Sequence, residues 1–367
     1  MALVFDLGAC SSKIGFAGED FPQLVFDTVC GSPKSPDSKL WSFDKSVMTR
    51  PAEFALRRTF EFGGIRDWEA WEELVSHCYL QLKADPSEQP VFMTEPHRNN
   101  RDARERTLHT VFETFGAPAF FMASQAVLAL YAGENQSGLI VHIGDGTADL
   151  VPYLHGQAKY LEHAATVFDV CGNDVTEHLA MLLGRERGYH LYDRAKQVQL
   201  RDLKESQCYV SATFDKDVSM SQQAAKRLFE SSYQLPDRSF VNIGTEKFLA
   251  PEILFKPAVD SPGIHEAIVD TIKKCDLVTR FDLYNDIVLV GGGTMVTGFR
   301  ERLEHELRSL VPSAPINVRA HDHRHLLPWR GASFVAKLPT FDQTSWVTRG
   351  EYEEHGESIV HRRCTMN

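Results

Sequence analysis

The pattern that most restricts the fold is a strand, a glycine turn and a returning strand that occur together twice. Leu3-Val4-Phe5-Asp6-Leu7-Gly8 is an apolar strand with one polar residue and a glycine, and Lys13–Ala17 returns from it. Ile140-Val141-His142-Ile143-Gly144 repeats the arrangement, and Ala148–Leu154 returns. A helical pattern follows each copy. Two copies of one hairpin unit predict two related lobes facing each other. The length agrees: 367 residues at about 150 per domain gives two or three domains.

The composition permits a large core, with 43% apolar and 24% charged residues. That excludes disordered and low-complexity classes. The net charge, 39 − 50 = −11, argues against a nucleic-acid partner, which needs clustered Lys and Arg. The most apolar window, Ala117–Ala132, is short and is broken by Ser124 and Gln125, so no membrane span is expected. The opening Met-Ala-Leu-Val-Phe-Asp has no basic segment and does not read as a signal peptide. Seven cysteines, scattered and without CxxC, predict free thiols in a reducing compartment.

Between the hairpins the periodicity predicts helices at Trp68–Leu82, Asp102–Phe115 and Ala123–Ala132, with a short strand at Gln89–Met93. Beyond the second hairpin it predicts helices at Asp174–Glu186, Tyr192–Ser206, Gln222–Phe229, His265–Cys275 and Gly298–Leu310, and one starting at Gly331. Ser239–Phe248 reads as a strand pair and Asp286–Val290 as a buried strand. Residues 31–58 show no period and read as an exposed excursion.

The turns carry the chemistry. Small residues let backbone N–H groups converge on an anion. Gly8-Ala9-Cys10-Ser11-Ser12-Lys13 has this character, with Lys13 to neutralise phosphate, and Gly144-Asp145-Gly146-Thr147 has it again. Asp6, at a strand end, suits a hard divalent cation held through water. A third cluster, Gly291-Gly292-Gly293-Thr294-Met295, lies between a buried strand and a helix, where backbone approaches a nucleotide. Taken singly, each is also an ordinary tight turn. His321, His323 and His325 alternate and read either as metal ligands on one strand face or as a solvated surface turn.

Ordered short matches then run nearly end to end. They include Lys13-Ile-Gly15-Phe16-Ala17-Gly18, Thr94-Glu95-Pro96, Gln125-Ala126-Val127-Leu128, Gly144-Asp145-Gly146, Gly263-Ile264-His265-Glu266 and Ser358-Ile359-Val360-His361-Arg362. On these residues the chain resembles actin and the actin-related proteins, and is identified as a divergent member. The resemblance implies an α/β, two-lobed actin-like fold, shared with Hsp70 and sugar kinases, with ATP or ADP and Mg2+ or Ca2+ in a central cleft. It implies subdomain 1 at 1–27, 59–132 and 327–367, and a reduced subdomain 2 at 28–58. Subdomain 3 would take 133–170 and 260–326, and subdomain 4 would take 171–259. Carried over by position, Asp6, Gly8 and Lys13 match the first phosphate loop, and Gly144, Asp145 and Gly146 the second. Arg201, Lys204 and Glu205 match the adenine and ribose contacts; Gly291, Gly292 and Met295 match the third contact, with Gly293 where the family has threonine. Asp6 and Gln125 match the groups that hold the metal through water.

The chain also departs from that family. Gln125 matches the glutamine that positions the attacking water, but His142 stands at the aspartate position and Asp149 at the histidine position. Ala9 and Cys10 replace residues that include a phosphate-binding hydroxyl. Residues 31–58 are shorter than, and unlike, the segment through which actin meets its neighbour. The expectation is a cytoplasmic, cytoskeletal subunit that binds adenine nucleotide, is a weak ATPase at most, polymerises poorly, and caps, templates or bridges. Its partners would be actin, other actin-related proteins or a microtubule-associated assembly. The alternatives are a polymerising actin-like ATPase and a chromatin-remodelling subunit.

Overall fold

A computed structural model describes residues 1–35, 37–38, 40–133, 137–154, 161–220, 222–235, 238–257 and 261–366. The chain divides into two units. One comprises Met1–Gln136, Leu154–Tyr160 and His323–Asn367, so it holds both chain ends; the other comprises Ser137–Tyr153 and Leu161–Asp322.

In the first unit, β1 (Leu3–Leu7), β2 (Ser11–Phe16) and β3 (Leu24–Asp27) form an antiparallel meander. β4 (Val91–Glu95) and β5 (Ala119–Ser124) add parallel strands on the other side of β1, and Val347–Thr348 closes that edge. The order is therefore 347–348, β5, β4, β1, β2, β3. In the second unit, β6 (Gly138–Ile143), β7 (Ala148–Tyr153) and β8 (Thr166–Val167) form the meander, and β9 (Ile287–Val290) and β10 (Val318–Arg319) the parallel side. The order β8-β7-β6-β9-β10 repeats β3-β2-β1-β4-β5 strand for strand. The internal repeat seen in the sequence is thus a repeat of sheet topology. β6 and β9 are buried along their whole lengths, as expected for parallel strands covered on both faces.

Helix α1 (Trp68–Leu82) spans the residues that its periodicity predicts. Asp67 caps it by accepting from Ala70 N, and Trp71, Leu74, Val75 and Cys78 make its buried stripe. Helix α2 (Gln125–Ala132) starts later than the pattern 123–132 suggests, because β5 takes residues up to Ser124. Buried strand and buried helix are indistinguishable by hydrophobicity alone in such a run. The second unit carries α3 (Gly172–Arg187) and α4 (Arg194–Gln207). Helix α5 (Leu327–Ala336) lies in the first unit, and its Trp329 donates to Val4 O at 3.1 Å.

Two further expectations need correction. The strand pair expected within Ser239–Phe248 is instead Ser231–Gln234 with Phe240–Ile243, and Glu246–Leu249 is helical. Residues 31–58 are not a featureless excursion. Cys30–Pro33 pairs antiparallel with Phe54–Arg57, Gly31 bridges Ser42, and Val47 is buried. Their apolar residues Trp41, Phe43, Val47 and Phe54 follow no single period because they contact different neighbours. Trp41 stacks on Phe43, and Phe43 stacks on His77 of α1 at 4.7 Å between centroids.

Candidate functional site

In the first unit the candidate residues gather on Asp6. Its neighbour across the hairpin is Lys13, and Lys13 Nζ lies 3.2 Å from Asp6 Oδ2. Thr94, on β4, donates to Asp6 Oδ1 at 2.6 Å, and Gln125, the first residue of α2, donates to the same oxygen at 2.8 Å. The carboxylate is 1% exposed. Burial alone would raise its pKa, but the Lys13 ammonium and the hydrogen bonds from Thr94 and Gln125 outweigh burial and hold it below the usual carboxylate value. The turn is tight: Gly8 N donates to Ser11 O at 3.1 Å, and Lys13 Nζ also reaches Ser11 O at 3.3 Å. Asp6, Gly8, Lys13 and Gln125 are therefore brought together.

Sequence reasoning missed two members of this cluster. Thr94 lies 88 residues from Asp6 in the chain; the signal was its place at the end of a short buried strand. His325 is half-buried, and its Nδ1 is buried without a hydrogen-bond partner among the described residues. Burial lowers its pKa, the Lys13 charge lowers it further, and Asp6 opposes both. Of the two readings of His321, His323 and His325, the structure shows the turn, over residues 322–326, and not a shared strand face. His323 packs edge-on to Phe21 at 5.5 Å.

In the second unit three segments converge on the end of β6. Gly144 N donates to its turn partner Thr147 O at 2.8 Å. The first amides of α3 then close on the same turn: Gly172 N donates to Gly144 O and Asn173 N to Asp145 O, and Cys171 Sγ to Asp145 O. Arg201 on α4 pairs with Asp145 at 3.1 Å. Lys204 is buried and donates to Gly172 O and to Thr176 Oγ1, each at 2.8 Å, whereas Glu205 is exposed. The third glycine cluster follows β9. Gly291 has φ +89°, and a Cβ there would lie 2.3 Å from Ile143 O. A Cβ on Gly293 would strike the Ile143 side chain, while Gly292 faces open space. Met295 is partly exposed. Thus the second turn, the third cluster and the start of α3 form one backbone-lined corner.

His142 and Asp149 lie beneath that corner, opposite each other on β6 and β7. Both are buried, with His142 Nδ1 and Asp149 Oδ2 3.8 Å apart. That is too long for a hydrogen bond, and Asp149 Oδ2 has no hydrogen-bond partner among the described residues. They hold the register positions that Asp6 and Lys13 hold in the first unit, two residues before and five after the turn glycine.

No group of three or more His, Cys, Asp or Glu residues gathers around a possible metal position among the described residues. In the first unit Asp6 offers carboxylate and Gln125 amide oxygen, the donor type that a hard cation held through water would need; in the second, Asp149 Oδ2 is buried with no hydrogen-bond partner among the described residues. All seven cysteines are free thiols. No helix among the described residues is long and apolar enough to cross a membrane. Compared with known families, the chain is matched by the family model described as Actin over residues 1–365.

Proposed function

The chain belongs to the actin family, and from that premise we propose that it is a nucleotide-stabilised structural subunit with little or no ATP hydrolysis. Members of this family bind an adenine nucleotide with a divalent cation and work with protein partners. Here ATP or ADP would take its phosphate contacts from the glycine turns at Gly8 and Gly144, with Lys13 as the counter-charge. Gly291, Gly292, Gly293 and Met295 would supply the third contact, and Arg201 and Glu205 would border the base and ribose. Lys204 is already committed to Gly172 O and Thr176, so its role is to hold α3 against α4. Asp6 and Gln125 would hold Mg2+ or Ca2+ through water, and the cation would neutralise phosphate charge.

The observation that carries the weak-hydrolysis reading is the pair His142 and Asp149. An imidazole stands where the family places a carboxylate, and the carboxylate stands where it places an imidazole. Water positioning needs a base within hydrogen-bond reach of the attacking water, and the reversal moves that base. An imidazole also offers no negative charge to a Mg2+ or Ca2+ water shell, so affinity for those ions falls. Single-turnover phosphate release from ATP-loaded protein tests this, and an actin-like rate would overturn it.

The cytoskeletal role follows from the same membership and from residues 31–58, which the structure folds onto α1. A subunit that caps, templates or bridges a cytoplasmic assembly of actin, other actin-related proteins or a microtubule-associated complex fits this better than a self-polymerising ATPase. Affinity purification of the full chain, with chromatography of the released nucleotide, tests both halves.

A further inference from the structure

We propose that the exposed apolar face of the helix Leu277–Asn285 pairs two copies of this chain about a two-fold axis, as a closed dimer. The inference goes beyond the nucleotide reading and uses none of its residues.

The helix is apolar on two sides. Leu283 and Tyr284 are buried and anchor it, and it packs on β6 and on the helix Ile264–Lys273. On the outward side Leu277, Val278 and Phe281 are 78%, 88% and 63% exposed. Val278 is the most exposed large apolar side chain among the described residues. At about 100° per residue the three share an arc of about 100°, so they form one continuous stripe. Apolar side chains exposed singly are common, but a contiguous stripe marks an interaction surface.

Charge and area name the occupant. Beside the helix N-terminus, Arg280 donates to the carbonyls of Lys273 and Cys275, so its guanidinium joins the exposed Lys273 and Lys274 there. These three cations outnumber Asp270 and Asp276 at that end, whereas Asp282 is exposed toward the other. The stripe therefore has a basic end and an acidic end. A two-fold axis that runs two such helices antiparallel sets Val278 against Phe281 of the copy, and Phe281 against its Val278. It also lays each basic end on an acidic end and opposes the helix dipoles favourably. Three side chains present a few hundred Å2. Two copies with their polar rims reach only the lower end of the about 1,200–2,000 Å2 of specific interfaces, so the dimer is reversible. An isologous contact uses the same face on both partners, so it closes at two and adds no third copy.

Sedimentation velocity of the full chain across micromolar concentrations tests this. The average mass should rise with concentration toward twice that of the chain and no further. Val278→Asp and Phe281→Asp, at exposed positions that the fold does not need, should each weaken association at least tenfold, the loss expected at the centre of an interface. Asp282→Lys should weaken it too, and adding Lys274→Asp should recover it, because antiparallel pairing brings those two ends together. A wild-type chain that stays monomeric throughout overturns the proposal and leaves the stripe to a different protein. Association that survives both aspartate variants overturns it as well, and so does growth beyond two copies. Absence of recovery on adding Lys274→Asp overturns the antiparallel pairing.

Discussion

His142 and Asp149 face each other across β6 and β7 at the register that Asp6 and Lys13 occupy across β1 and β2. The first-unit pair is closed, with an ion pair at 3.2 Å and hydrogen bonds from Thr94 and Gln125. The second-unit pair is open at 3.8 Å, with one carboxylate oxygen unused. One fold element, duplicated, therefore carries a carboxylate partnered through both oxygens in one unit and one with an unpartnered oxygen among the described residues in the other.

Reversing the pair should restore hydrolysis. In the double variant His142→Asp, Asp149→His, a carboxylate and an imidazole regain the family's places without a change of strand or register. Positioned acid–base groups contribute about 10²–10⁴-fold, so single-turnover phosphate release should rise at least tenfold. An unchanged rate would show that the reversal is not what limits the reaction.

Asp6 is the group whose loss should matter most in the first unit. Asp6→Asn keeps the shape but leaves Lys13, itself 8% exposed, without its counter-ion. Breaking a buried pair from one side costs about 3–5 kcal/mol. The carboxyl has a pKa below its ordinary 3.8, so its stabilisation is fully present above that pH and is lost as pH falls through the lower folded value. Thermal melting should show a large deficit for the variant at pH 7 that narrows below 3.8. A deficit independent of pH would mean that charge is not its origin.

His77 should make the docking of residues 41–57 depend on pH. Its ring packs against Phe43 and Phe26, and burial lowers its pKa below 6.5, with Asp44 opposing. A base with a lowered folded pKa favours the docked form above the unfolded value, and that preference is lost as pH falls below 6.5. Hydrogen exchange in 41–57, corrected for intrinsic rates, should be faster at pH 5.5 than at pH 7.5, and His77→Phe should abolish the difference. Equal protection at both pH values in the wild type would contradict this.

Gly291 should tolerate no side chain. Alanine there would adopt φ +89° and put its Cβ 2.3 Å from Ile143 O, which is backbone in the centre of the sheet. Strain of this kind costs about 1–3 kcal/mol before any steric displacement, so Gly291→Ala should lower the melting temperature clearly and disturb the corner above His142. Gly292→Ala, with nothing within 4 Å, is the matched control and should be near neutral. Similar losses in both would point to a general effect of glycine replacement.

The hairpins were legible because a buried strand, a glycine and a return leave a pattern within fifteen residues. So was α1, whose stripe Trp71, Leu74, Val75 and Cys78 has one period and one cap. On these elements the structure brings Asp6, Lys13 and Gln125 together. Thr94 and His325 were not, because what makes them relevant is their nearness to Asp6 and Lys13 across long stretches of chain. The same holds for the commitment of Lys204 to Gly172 O: helical spacing put Arg201, Lys204 and Glu205 on one face but could not show that the middle one is buried. Local spacing reports direction; it does not report what waits there.

The purified protein should not polymerise. The segment 31–58 is held within its own unit at several points. Cys30–Pro33 pairs with Phe54–Arg57, Phe43 stacks on His77, and Arg57 donates to Asp67 at 2.6 Å and to Glu69 at 3.1 Å. Trp41 lies under the Arg57 guanidinium at 5.5 Å. Side chains committed this way are withdrawn from contact with a second copy, and releasing them would forfeit the stacking and the ion pairs before any new contact formed. High-speed sedimentation with Mg–ATP should leave the protein in the supernatant across micromolar concentrations. Trp41→Ala, which loosens the segment without supplying a new contact surface, should leave it there too. A pellet from the wild type would contradict the reading, and a pellet from Trp41→Ala alone would show that the docked segment acts as a brake on an interface that is otherwise intact.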